Sequence, residues 1–148
     1  MIIARKRIDI AYTGVFFEKE SFYTLVSERV SSSRLHQNVL HPHVTFQYMP
    51  QIVPEALFGE KAEFRVIGYG NDGQNEGLLI EWLSGAPQLK QLYDEIKIPH
   101  ITLSYAEYGN PVNTRYLDFK PITPFDISGV FGGFSGSNNR VNIAAAII

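Results

Sequence analysis

Pro42-His43-Val44-Thr45-Phe46-Gln47-Tyr48 and Pro99-His100-Ile101-Thr102-Leu103-Ser104-Tyr105 follow one pattern: proline, histidine, a β-branched residue, threonine, an apolar residue, a polar residue, tyrosine. β-Branched and aromatic side chains suit a pleated strand. A proline is tolerated at a strand's first residue, where its missing N–H costs least. Side chains alternate between the two faces of a strand. Each copy therefore shows a histidine, a threonine and a polar residue on one face: His43, Thr45 and Gln47, then His100, Thr102 and Ser104. Val44, Phe46 and Tyr48, like Ile101, Leu103 and Tyr105, point the other way as prospective core.

The flanking sequence supplies the elements around these strands. Residues 8–17 alternate as a strand partly buried on both faces. Glu18 and Glu20 open a helix, as the helix dipole favours, and Phe22, Leu25, Val26 and Val30 form its apolar stripe. Ser31-Ser32-Ser33 ends it, and a polar connection leads to the first motif. Residues 63–68 and 78–83 read as a hairpin around Asn71-Asp72-Gly73-Gln74-Asn75. Ser84 or Gly85 is expected to cap a second helix with Pro87 in its first turn; Ala86, Leu89, Tyr93 and Ile96 make its buried stripe. After the second motif, Asn110-Pro111 starts a short helix to Leu117, and Lys120 to Pro124 reads as a proline-interrupted loop. Ile127 to Phe134 and Val141 to Ile148 close the chain as a hairpin. Short turns between strands favour an antiparallel α+β architecture, and the repeated motif suggests two similar halves, each with a central strand carrying one histidine.

The 148 residues suffice for a single domain with a real core, and 45% hydrophobic with 19% charged residues is ordinary for a globular protein. A net charge of −2 argues against a broad grip on long nucleic acid. A small anionic ligand or a chain end remains compatible. Without cysteine there are no disulfides, thiolate nucleophiles or thiolate metal sites. Two histidines lacking a matched carboxylate are a poor zinc set, so no metal or other cofactor is expected. Arg5-Lys6-Arg7 is not followed by an apolar run, and no stretch is long enough to span a bilayer. A cytoplasmic monomer without a membrane partner is the expectation.

Imidazole exchanges protons near neutral pH without special tuning, so two facing rings make a general acid and a general base. One His-x-Thr strand is commonplace and usually only packs; two near-copies point to a site. His43 and His100 are the candidate catalytic residues, with Thr45 and Thr102 as substrate-binding hydroxyls. A binder holding a nucleotide phosphate would use the same residues and is the alternative. His36 and His41 read as loop bystanders. Tyr12, Phe16 and Phe134 read as core in preference to base-stacking platforms, Arg5-Lys6-Arg7 as a solvated face, and Gly132-Gly133 as a bulge or turn.

Two His-x-Thr strands separated by about half a domain resemble the two-histidine (2H) phosphoesterase superfamily. That superfamily includes RNA 2′,3′-cyclic phosphodiesterases and 2′,5′-RNA ligase-like proteins. The resemblance covers His43, Thr45, His100 and Thr102. It implies a bilobal, pseudo-symmetric α+β fold with a central cleft. It also implies metal-independent cleavage of a small nucleotide or RNA-terminal phosphodiester, whether 2′,3′-cyclic, 2′,5′-linked or a cyclic (oligo)nucleotide. By the same resemblance His43 would be the acid and His100 the base.

Overall fold

The alternating residues at the start of the chain form β1 (Ile10–Phe16) in the structure, a computed structural model that describes residues 10–135 and 140–142. Glu18 then caps α1 (Lys19–Arg29), its carboxylate accepting the N–H groups of Ser21 and Glu20. Those are two of the donors that a helix start leaves without partners. Phe22 and Val26 are the buried face of α1. β2 (Asn38–Val39), β3 (His43–Tyr48), β4 (Lys61–Asn71), β5 (Asn75–Gly85), α2 (Pro87–Tyr93) and β6 (His100–Tyr105) follow. A 3-10 helix over Pro111–Tyr116, β7 (Lys120–Ser135) and β8 (Arg140–Asn142) complete the described chain.

The result is an α+β protein built on one eight-stranded sheet in which every ladder is antiparallel. Its order is β2-β6-β5-β4-β7-β1-β3, with β8 on β7. Two arms of this sheet meet where β7 pairs with β4. In one arm α1 joins β1 to the motif strand β3; in the other α2 joins β5 to the motif strand β6.

The motif strands are not central, contrary to the sequence expectation. β3 ends the sheet on one side, and only the two-residue β2 lies outside β6 on the other. Yet the two ends are close. β2 belongs to one end and β3 to the other, and only Leu40, His41 and Pro42 separate them. So short a link spans at most about 14 Å, and Cα atoms of β3 and β6 come within 8 Å of each other. Twist and coiling of the sheet bring its ends together. Tyr23 of α1 straps the junction: its hydroxyl lies 2.7 Å from Leu103 O and 3.0 Å from Leu40 O.

Val15, Val44, Phe46, Phe64, Val66, Leu78, Ile101, Leu103 and Phe131 form the core with α1 and Leu89 of α2. Each large side chain removed from water contributes about 2 kcal/mol. Tyr48 does not join them; it is 77% exposed. Alternation fixes its side of the strand, but β3 ends there, beyond the reach of the core. Tyr105 is partly buried. Ala86, with no side-chain hydrogen bond, precedes α2 in place of Ser84 or Gly85. Lys120 to Pro124 belongs to β7 and not to a loop. There β7 pairs with β4 alone, since its ladder to β1 begins at Val130, and proline is tolerated on such an edge. Arg5-Lys6-Arg7, the first two residues of the 8–17 strand and 143–148 of the closing hairpin lie outside the described residues.

Candidate active site

Both motif histidines are held the same way. His43 Nδ1 lies 2.9 Å from His41 O, and His100 Nδ1 lies 2.8 Å from Ile98 O. A carbonyl oxygen only accepts, so in each neutral ring Nδ1 carries the hydrogen and Nε2 keeps its lone pair. The backbone is equally matched. Pro42 O accepts Phe17 N–H at 3.0 Å, and Pro99 O accepts Ile80 N–H at 3.2 Å. Phe16 stands opposite His43, and Leu79 opposite His100. The carbonyl that fixes the tautomer of His43 is backbone, like that of Ile98 for His100, so the contact does not involve the His41 imidazole.

The equivalence extends below the histidines. Gly14 lies across from Thr45, and Gly77 across from Thr102. Each ladder shifts register immediately before its glycine, between Thr13 and Gly14 and between Glu76 and Gly77. A Cβ at Gly14 would collide with Val44 O, and one at Gly77 would sit 2.8 Å from Ile101 O and also meet Thr114. Those carbonyls belong to the middle residue of each His-x-Thr. The glycines let a neighbouring backbone press against the motif. One residue further, Thr13 donates to Gln47 Oε1 at 2.8 Å, and Ser104 donates to Glu76 Oε1 at 2.9 Å.

The arms differ in their surroundings. The His43 ring stacks on Tyr12, with centroids 4.7 Å apart, and is flanked by Phe16 at 5.4 Å. Tyr12 also stacks on Phe134 at 5.0 Å. These aromatics wall the histidine. Burial pushes the His43 imidazole down to about 4, with smaller contributions from the His41 and His100 rings, against the pull of the His41 carbonyl. Burial also lowers His100, helped by the Arg115 guanidinium and opposed by the Ile98 carbonyl. At neutral pH both rings are neutral, with Nε2 available. Burial raises the Tyr12 phenol to about 12, so it stays protonated.

The threonines diverge as well. Among the described residues, Thr45 Oγ1 has no hydrogen-bond partner. Thr102 Oγ1 is 2.8 Å from Thr114 Oγ1 and 3.3 Å from Pro111 O. Thr114 also accepts from Asn75 Nδ2 at 3.1 Å, and Asn75 reaches Asn110 O at 2.7 Å. This network pins the 3-10 helix on β6. Sequence reasoning missed Gly14, Gly77, Thr114 and Arg115. The glycines had a signal, because Thr13-Gly14-Val15-Phe16 and Glu76-Gly77-Leu78-Leu79 each precede a helix and a motif.

His36 Nε2 lies 2.9 Å from Asn71 Oδ1, and its backbone N–H donates to Ser104 Oγ of the second motif strand at 2.8 Å. Among the described residues, no three His, Cys, Asp or Glu side chains form a metal-binding group. No helix among them is long and apolar enough to cross a membrane. Two surface depressions beside the C-terminal end of α1 contain neither motif histidine. No protein-family model matches the chain, and no curated protein is significantly similar to it.

Proposed function

We propose that this protein is a phosphodiesterase of the two-histidine type, acting on a small nucleotide or RNA-terminal phosphodiester by paired acid–base catalysis. The observation that carries the reading is the matched pair of Nδ1-to-carbonyl clamps on neighbouring strands. They leave two Nε2 atoms of the same character, each with a threonine two residues on. A site for in-line displacement at phosphorus needs one proton acceptor and one proton donor on either side of the phosphate. The two similarly held rings support this reading, because either could fill either role.

In this mechanism the base takes a proton from the attacking water as the new P–O bond forms. The acid gives its proton to the leaving ribose oxygen as the old P–O bond breaks. Both rings are neutral in the free protein, so the acid gains its proton alongside the anionic phosphodiester, which favours the imidazolium. His43, walled by Tyr12 and Phe16, needs the larger upward shift. Its burial supports His43 as base and His100 as acid, the reverse of the order implied by resemblance. Thr45 is the ready donor to a phosphoryl oxygen, because its hydroxyl hydrogen is not committed elsewhere among the described residues.

The test is incubation with 2′,3′-cyclic nucleotides, 2′,5′- and 3′,5′-linked dinucleotides and cyclic dinucleotides, in chelator, with products read by mass and phosphate position. Turnover of one class, abolished in His43→Ala and His100→Ala, is expected. Activity that vanishes in chelator and returns only with added metal would sink the mechanism. Binding without turnover of any member would make the protein a nucleotide binder.

A further inference from the structure

Arg115 follows directly on Thr114, the residue whose hydroxyl lies 2.8 Å from that of Thr102. The 3-10 helix that carries it is fixed by the Thr102–Thr114–Asn75 network and by Asn75 to Asn110 O. Thr114 is fully buried and Arg115 is exposed, so the helix buries its anchor and presents the next side chain to solvent. The guanidinium carbon lies 4.9 Å from the centre of the Tyr116 ring, a cation–π contact that restrains it without neutralising it. Among the described residues, Arg115 has no carboxylate within ion-pair distance, whereas Arg65 is paired with Asp126 at 2.9 Å. Its charge reaches His100 and helps to disfavour protonation there.

Among the described residues, no cation acts on His43 as Arg115 acts on His100; Lys19 in the other arm acts on His41 instead. β3 runs on into Tyr48, Met49 and Ile52, which are exposed and uncharged. Among the described residues, an unneutralised cation acting on one motif histidine and not on the other departs from the two-fold character of the site. A guanidinium offers several donors in a planar fork suited to phosphate oxygens.

We infer that Arg115 is the residue that grips the non-bridging oxygens of a bound phosphate and thereby fixes which way round the substrate lies between His43 and His100. This rests on the phosphodiesterase reading for its substrate class. Held there, the phosphate stands between Arg115 and His100 and offsets the cation that adds to burial in disfavouring protonation of His100. The same contact that orients the substrate thus lets His100 hold the proton it gives to the leaving oxygen.

The test uses nucleoside 2′- and 3′-monophosphates as probes, with Arg115→Gln and Arg115→Lys beside the wild-type protein. Binding is followed by the His100 ring signals in NMR, and turnover is measured separately with the phosphodiester panel. Wild-type protein should bind a monophosphate with a shift of the His100 ring. Arg115→Gln should weaken that binding roughly 10- to 100-fold, the range for one charge-assisted hydrogen-bonded contact. Arg115→Lys should recover part of it, which a merely structural role would not produce. Equal affinity in wild type and Arg115→Gln overturns the inference, as does a wild-type protein that binds neither probe. Arg115-dependent binding with no turnover of any phosphodiester supports the anion contact and overturns the enzymatic reading instead.

Discussion

The Tyr23 hydroxyl sits 2.7 Å from Leu103 O while also lying 3.0 Å from Leu40 O, so one side chain of α1 holds both ends of the sheet at the point where the two motif strands meet. Burial raises its phenol, so the hydroxyl keeps its hydrogen throughout the physiological range. Replacing Tyr23 by phenylalanine preserves the ring and deletes the strap. We expect a loss of about 1 kcal/mol, the usual net worth of a buried hydrogen bond, read as a shift in urea midpoint at unchanged slope. Activity should fall by more than that stability change explains, because the spacing of the histidines depends on the contact. An unaltered midpoint and rate would show that the strap is dispensable.

Removal of either imidazole should cost at least ~10²-fold in rate, the lower contribution of acid–base catalysis. The rate should follow a bell-shaped pH profile, since one ring must be neutral and the other protonated. A substrate with an activated leaving group needs little protonation. It should therefore partly rescue His100→Ala and not His43→Ala. Rescue of His43→Ala alone would restore the order implied by resemblance.

The two threonines should separate stability from function. Thr102→Val breaks the contact to Thr114 and leaves a buried network short of a partner, so it should cost about 1 kcal/mol. Thr45→Val disrupts no hydrogen bond among the described residues and should leave the melting temperature in place while lowering activity. Equal destabilisation by both changes would contradict the asymmetry seen here.

His43 also predicts how stability depends on pH. Its folded pKa of about 4 lies below the ordinary 6.5, so below pH 6.5 the unfolded chain binds a proton that the folded chain refuses. The stability is fully present above pH 6.5 and is lost as pH falls toward 4, by up to about 3 kcal/mol from this group. In His43→Gln the loss over that window should shrink. Urea titrations of both proteins at pH 7, 5.5 and 4.5 measure it; parallel curves would rule out His43 as the source.

Gly14→Ala places a methyl group against the Val44 carbonyl, and Gly77→Ala places one against Thr114 and the Ile101 carbonyl. Backbone cannot swing aside as a flexible side chain does. Each change should destabilise by roughly 1–3 kcal/mol, the usual cost of overpacking. Gly73→Ala also strains its turn, because Gly73 has φ +90, but meets no neighbour. It should cost less, through conformation alone. Thermal melts of the three variants give the comparison.

Alternation in Val44-Thr45-Phe46 and Ile101-Thr102-Leu103 was enough to place the motif strands and their buried faces, because a period of two leaves little freedom once one side is core. The helices were legible from Glu18 and Pro87, which act locally. Tyr48 was misread because alternation gives a direction and says nothing about where the core stops. The prolines at 121 and 124 suggested a loop because a proline's tolerance in a strand depends on which neighbour is missing, a property of the finished sheet. The placing of Arg115 was invisible for a related reason: the Thr102–Thr114–Asn75 network pins the irregular turn that carries it, and no periodic signal marks such contacts.

The route through the sheet from His43 to His100 runs along β3, β1, β7, β4, β5 and β6, and β7 follows both motif strands in the sequence. A chain emerging from the ribosome therefore carries both histidines well before it can join them. Until β7 arrives, β1 with β3 and β4 with β5 and β6 are separate pieces lacking their shared ladder. The ladder between the two halves of the sheet is thus completed only with β7, and a product truncated before residue 120 would contain both motifs yet lack the strand that pairs with both β1 and β4.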